Sequence, residues 1–228
     1  MLILCLHKVG PQGAEGRFLN MEPERLRRNI RFLKRRGLAF VQAKDLRGIL
    51  PERSVCLTFD DCYTSTMTHG VSVLRQEGVT ASFYAVAGLV GKASEWDADR
   101  ARPLADWAEL RQAASEGFEI GSHTYSHAHL GELSLEDQIA EIRKGDLKMK
   151  EEGLPPTSFC LPYGSQNEHT PSAIKNCGHL VGLALGKRLA TGADDRLLLP
   201  RVILAYSDGS AGLMYKAWVR PKLRRPRT

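Results

Sequence analysis

Two adjacent acids close the run Thr58-Phe59-Asp60-Asp61, and further along the chain two histidines, His123 and His127, stand four residues apart. An ionised carboxylate at the end of an apolar run costs free energy unless a cation or hydrogen-bond donors satisfy it, and a metal ion would do so. Neighbouring residues at a strand end point to different sides, so one acid can ligate while the other stays free as a base. The competing reading is a helix cap, because Asp61 precedes an amphipathic segment by a few residues. For the histidines, i, i+4 spacing on a helical turn faces both imidazoles the same way, which suits a pair of metal ligands. Two histidines and one carboxylate leave coordination positions open, as a catalytic ion carrying water requires. His69 and His129 read as ordinary polar residues.

Such a site needs a scaffold that brings distant residues together. Short apolar runs rich in β-branched residues alternate with amphipathic segments, the pattern of βα units around a parallel sheet. Strands are predicted at 2–6, 38–41, 54–59, 80–86, 117–121, 157–161, 179–184 and 197–204. Helices are predicted at 23–36, 65–77, 103–116, 134–151 and 169–177, each closing near a glycine. His7, the Asp pair, the two histidines and Pro162-Tyr163-Gly164 all follow predicted strands. In a parallel barrel those positions share the carboxyl-terminal rim, where active sites lie. An open doubly wound sheet would also gather them on one edge.

With 228 residues, 43% hydrophobic and 25% charged, and a mean hydropathy of -0.28, the chain has the composition of one large globular domain, which excludes disordered and collagenous classes. No apolar run approaches the roughly 18 residues of a membrane span. The net charge of +6 is matched by six cations, Lys216, Arg220, Lys222, Arg224, Arg225 and Arg227, so the expected organisation is a domain over 1–215 and a basic tail over 216–228. A second cluster, Arg25 to Arg36, lies on a helix whose apolar stripe is Leu26, Ile30 and Leu33. Five cysteines without a CxxC pair fit reduced thiols better than a disulfide framework. Cys5 and Cys56 read as packing residues. The first residues lack the basic and apolar regions of a secretory signal, so the expected location is cytoplasmic.

Taken together, Thr58-Phe59-Asp60-Asp61, Gly121-Ser122-His123-Thr124-Tyr125-Ser126-His127 with Leu130, and Leu161-Pro162-Tyr163-Gly164 resemble the NodB-like polysaccharide deacetylases of carbohydrate esterase family 4. Leu6-His7-Lys8-Val9 and Leu199-Pro200-Arg201-Val202 look like the opening and closing segments of the subgroup that includes poly-N-acetylglucosamine deacetylases. The resemblance implies a distorted, incomplete (β/α) barrel of seven or eight units. It also implies a divalent ion on Asp61, His123 and His127, zinc first, with cobalt, nickel or manganese as alternatives. Asp60 would be the general base, and the backbone N–H at Tyr163, held by the Pro162 turn, would face the oxyanion of a hydrolysed acetamide.

The departures from the pattern carry expectations of their own. Cys62 stands where many members have Gly, narrowing the backbone choice; a metal-bound thiolate there is the lesser alternative. Cys160 replaces an Arg that orients the base, and Arg201 is the candidate substitute. The usual catalytic-acid His has no counterpart near 199–208, which leaves His7 as the rim histidine for protonating the leaving amine, or as a hydrogen-bonded strand end. Trp96, in a rim loop, is placed to stack on a sugar or to fold under its own loop.

The implied substrate is an N-acetylated sugar, as polysaccharide, oligosaccharide or lipid-linked glycoside. The alternatives are a deformylase or other amide hydrolase on a small or lipid-linked glycoside, and a catalytically impaired carbohydrate-binding protein. The basic tail, with Trp218 among its cations, suggests peripheral contact with the anionic inner face of a membrane, bringing the rim to lipid-linked sugars. No nucleic-acid motif accompanies the charge.

Overall fold

A computed structural model describes residues 1–206 and 208–223. In chain order the strands are β1 (Leu2–Leu6), β2 (Lys8–Val9), β3 (Asn20–Met21), β4 (Ala39–Val41), β5 (Ser54–Asp60), β6 (Ser82–Ala85), β7 (Glu119–Ser122), β8 (Phe159–Cys160), β9 (Gly182–Leu185) and β10 (Leu199–Ile203). The helices are α1 (Gln12–Glu15), α2 (Pro23–Arg35), α3 (Val71–Glu77), α4 (Trp107–Ser115), α5 (Leu135–Glu151), α6 (Thr170–Asn176), α7 (Ser210–Met214) and α8 (Arg220–Leu223).

Each of the eight predicted apolar runs contains a strand. The strands of the ring are buried on both faces, as in β1 and β5, which is why they read as continuous apolar runs rather than alternating ones; β4 is exposed or half-buried. All pairings in the main sheet are parallel, and β1 pairs with both β10 and β5. That double pairing closes β1, β5, β6, β7, β8, β9 and β10 into a seven-stranded barrel and rules out the open doubly wound sheet. β4 stays outside the ring, on the first half of the β5 edge whose second half pairs with β6.

The expected stripe of α2, Leu26, Ile30 and Leu33, is buried together with Asn29. That helix lies over a core shared by β1, β5 and β6, in which Leu4, Leu57 and Phe83 are buried. Glycines close the helices as expected: Gly78 after α3 and Gly153 after α5 take left-handed backbone, with φ of 59° and 77°.

Two features were not anticipated. β2 and β3 pair with each other beside the barrel mouth. At the other end of the chain, α7, a π-helical turn (Tyr215–Val219) and α8 form one continuous helix. Leu213 and Ala217 are buried in the core beside α2, Trp218 packs against it, and Lys216 donates to Asp208 Oδ2 at 2.6 Å. The expected tail therefore begins inside a packed helix, and its residues 224–228 lie outside the described ones. Trp218 shares a surface cleft with Met1, Leu38 and Arg53, at the amino-terminal ends of the strands. This is the opposite end of the barrel from the rim. Among the described residues no helix is long and apolar enough to cross a bilayer.

Because Leu213 is fully buried, Leu213→Ala is expected to destabilise the protein by about 2–5 kcal/mol, read as a shift in the urea midpoint. A change below about 0.5 kcal/mol, the usual range for surface positions, would mean that the terminal helix is not docked in solution.

Candidate active site

β5 delivers both acids to the carboxyl-terminal mouth of the barrel. Asp60, its last residue, turns into the barrel, where Arg201 from β10 donates from Nη1 to Oδ1 at 2.6 Å and from Nη2 to Oδ2 at 2.8 Å. The guanidinium is 1% exposed. It also donates to Thr58 Oγ1 at 2.9 Å and to the Ala184 carbonyl at 3.2 Å. Burial alone would raise the Asp60 carboxyl, but the adjacent charge and hydrogen bonds of Arg201 outweigh it and hold the group at about 2. Asp60 is thus ionised throughout the neutral range.

Two thiols complete this environment: Cys5 donates to Oδ2 and Cys160 to Oδ1, each at 3.5 Å. Cys5 therefore does more than pack, whereas Cys56 sits in an apolar cluster as expected. Burial pushes both the Cys5 and Cys160 thiols well up, so they remain protonated donors.

The next residue leaves the strand. Asp61 has φ 70° and Cys62 φ 54°, both in the region that favours glycine. Cys62 takes there the backbone conformation that a Gly would adopt more easily; its carbonyl accepts from Ala105 N–H at 2.8 Å and its thiol is buried and pushed well up by burial. It joins the apolar core rather than the metal donors.

The turn of Asp61 brings Oδ1 to 3.5 Å from His123 Nε2 and 3.2 Å from His127 Nε2. All three side chains are buried, and Oδ1 has no hydrogen-bond partner. Burial would raise the Asp61 carboxyl, but the two imidazoles hold it well below its ordinary range. Burial also lowers His127, against the pull of Asp61, and so favours the neutral ring that ligates.

The outer ring nitrogens are committed elsewhere. His123 Nδ1 lies 2.7 Å from the Cys160 carbonyl, which can only accept, so Nδ1 donates there and Nε2 is the nitrogen left to face Asp61. His127 Nδ1 lies 3.0 Å from Tyr163 Oη, and ligation through Nε2 requires Nδ1 to donate there. An orphaned buried carboxylate oxygen facing two imidazole nitrogens fits a divalent cation, and Asp61, His123 and His127 would hold it.

The histidine pair is not on a helical turn, contrary to the sequence expectation. His123 directly follows β7, and the chain then reverses through Thr124 (φ 67°) to His127 (φ 65°), whose N–H donates to Thr124 Oγ1 at 3.0 Å. Glu141 from α5 holds the reversal by accepting from Tyr125 N–H at 3.1 Å and Ser126 Oγ at 2.8 Å. Gly145, one turn along the same helix, leaves it room: a Cβ there would lie 2.9 Å from the Thr124 carbonyl carbon.

Around these groups lies a cavity of roughly 190 Å³, lined by His7, Phe18, Leu19, Asp60, Asp61, Trp96, Asp97, Arg100, His123, His127 and Tyr163. His7 Nε2 is 4.0 Å from Asp60 Oδ2, and its buried Nδ1 has no partner. Trp96 stacks on His127 with centroids 4.0 Å apart, so one indole face is occupied by the imidazole. Pro162 is buried beneath the turn in which Tyr163 takes φ 58°. His129 is no ordinary surface residue, because its ring lies parallel to Tyr163 at 3.8 Å. Of the cavity residues, Phe18, Leu19, Asp97 and Arg100 carry no distinctive signal in the sequence. The first two lie in a segment without periodicity, and Arg100 carries only the generic signal of a charged loop.

The profile of the polysaccharide deacetylase family matches residues 47–182, more than half of the chain. The chain belongs to that family. It is 24% identical over 205 residues to the poly-beta-1,6-N-acetyl-D-glucosamine N-deacetylase of Staphylococcus aureus (strain MRSA252), covering 83% of this chain and 68% of the relative. Among solved structures, the Streptococcus pyogenes deacetylase PplD superposes with a TM-score of 0.79 at 18% identity, over 95% of this chain and 97% of that one. IcaB from Ammonifex degensii gives 0.76 at 24% identity, over 89% and 91%. These likenesses extend over the whole barrel, beyond the part that the family profile matches.

Removing one partner of a buried ion pair strands the other. Asp60→Asn and Arg201→Met are each expected to cost about 3–5 kcal/mol, and the double variant less than their sum, by urea unfolding; strict additivity would deny the coupling. Because the folded Asp60 value lies below its ordinary 3.8, its ionised form contributes stability that is fully present above about pH 4. That contribution is lost as pH falls toward about 2, so Asp60→Asn should flatten the acid limb of the stability profile.

Proposed function

We propose that this polysaccharide deacetylase family member is a metal-dependent hydrolase that removes acetyl from an N-acetylated amino sugar, releasing acetate and a free amine. The observation that carries the reading is the convergence of Asp61, His123 and His127 beside a separately fixed and ionised Asp60 in one cavity. A divalent ion on the three donors would supply Lewis acidity toward water and the acetamide carbonyl. Two imidazoles and a carboxylate suit zinc first, with cobalt, nickel or manganese as substitutes.

The chain's own residues do the rest. Asp60 accepts the proton of the attacking water, and the fork of Arg201 keeps its carboxylate from rotating. The weak basicity of an acid held so low is offset by its permanent ionisation and fixed position. Backbone N–H at Tyr163, in the left-handed turn after Pro162, faces the developing oxyanion. His7 has one nitrogen 4.0 Å from Asp60 and the other without a partner, which suits it to pass a proton to the departing amine. Trp96 and Tyr163 form aromatic walls for the sugar. A purely carbohydrate-binding role is disfavoured, since binding alone gives no reason to keep an orphaned carboxylate between two imidazoles beside a locked base.

The test is metal analysis with acetate and formate release from N-acyl amino sugars. Asp61→Asn, His123→Ala and His127→Ala should lose the ion and the activity together. Asp60→Asn should retain the ion and lose about 10²–10⁴-fold in rate. Full activity in Asp60→Asn would remove the assigned base, and formate in place of acetate would reassign the acyl group.

A further inference from the structure

One side of the cavity is built from residues that the chemistry does not use. Phe18 and Leu19 come from the segment between β2 and β3, Arg100 comes from the long loop after β6, and all three line the cavity with Asp60, Asp61 and His123. The Arg100 guanidinium lies 4.2 Å from the centroid of the Phe18 ring. In the barrel, β5 stands between β1 and β6, so this contact arches over the strand that carries both acids.

Both feet of the arch are anchored. On the Phe18 side, buried Asn20 donates to the carbonyls of Gly10 at 3.1 Å and Gly16 at 2.9 Å, and accepts from Gly10 N–H at 3.1 Å. On the Arg100 side, Asp97 Oδ2 accepts from Tyr63 Oη at 2.6 Å and from Ser94 Oγ at 2.8 Å. A further pair, Glu15 and Arg102 at 3.8 Å, ties the two feet together. Across the mouth, Tyr163 follows β8, three strands round the ring from β5. There the rim is a flat aromatic face: the ring of His129 lies parallel to that of Tyr163 at 3.8 Å.

A polymer bound through an interior residue needs an exit on both sides of that residue. The arch occupies one. The cavity of roughly 190 Å³ is also smaller than the roughly 300–1,000 Å³ typical of small-molecule sites. We propose that the Phe18–Arg100 arch restricts the site to a chain-terminal N-acetylated sugar: one residue enters beneath the arch, and the remainder of the chain leaves over Tyr163 and His129. The proposal rests on the deacetylase reading above and names the substrate class within it.

The experiment is tandem mass spectrometry of the products of the metal-loaded enzyme on β-1,4- and β-1,6-linked N-acetylglucosamine tetrasaccharides, locating each free amine. The native protein should free amines at a terminal residue. Arg100→Ala and Phe18→Ala, both at exposed side chains, should raise the interior share about tenfold or more, the scale of discrimination by a pocket contact. Phe18→Tyr, which keeps the ring, should retain the terminal pattern. Interior amines from the native protein, or an unchanged pattern in both alanine variants, would overturn the proposal and leave the deacetylase reading standing. Absence of acetate from every tetrasaccharide would overturn that reading, and this proposal with it.

Discussion

The ion pair of Asp60 and Arg201 is the constraint on which the mouth of this barrel depends. A guanidinium taken out of water is prohibitive unless its donors are used, and here they reach both oxygens of Asp60, the Thr58 hydroxyl and the Ala184 carbonyl. Thr58 in turn donates to the Leu4 carbonyl at 2.7 Å. One side chain thereby ties together β1, β5, β9 and β10, the strands around the closure of the ring. The desolvation cost is recovered only while this geometry holds, so the same bonds that join the strands deny Asp60 any rotation. Rigidity of the fold and orientation of the Asp60 carboxylate are one property.

Asp61 is buried as deeply as its neighbour but is satisfied in a different way. Its backbone leaves the strand in a left-handed conformation, and its Oδ1 is left facing two nitrogens whose other ring positions are already engaged. Three electron pairs directed at one another repel unless a cation lies between them. Asp60 has a permanent cation beside it in Arg201, while Asp61 faces two imidazoles, a setting that an exchangeable cation would fit. The adjacent carboxylates acquire different surroundings because Asp60 is the last residue of β5, whereas the backbone at Asp61 has already turned into the left-handed region.

Much of the barrel was legible because parallel strands covered on both sides are continuous apolar runs, and all eight predicted runs contain a strand. The terminal helix was not legible. Its buried face is carried by Leu213 and Ala217, and the cations that follow dominate its composition, so it read as a solvated tail. At the site, Asp60, Asp61, His123 and His127 were named from residue type and order, but the histidines meet by a backbone reversal that spacing alone does not encode. The reversal depends on Glu141 and on the space left by Gly145, both within a helix whose local pattern carries no trace of the loop it supports. Stacking of His129 on Tyr163 was equally hidden, since nothing local links positions 34 residues apart.

The groups proposed to perform the chemistry sit at strand ends or directly after them, whereas part of the cavity wall comes from the two longer rim segments. Such walls could in principle vary without disturbing the catalytic groups. In this chain the separation is incomplete. Tyr63 lies two residues after Asp61, and its hydroxyl anchors Asp97, the foot of the loop that carries Trp96 and Arg100. Trp96 in turn rests on the ring of His127. A displacement of the outer wall is therefore transmitted to two of the three candidate metal donors, through the backbone at Asp61 and through the stacked ring at His127. Substrate fit and ligand geometry are mechanically linked, and a change of wall that leaves the barrel intact still acts on the site it encloses.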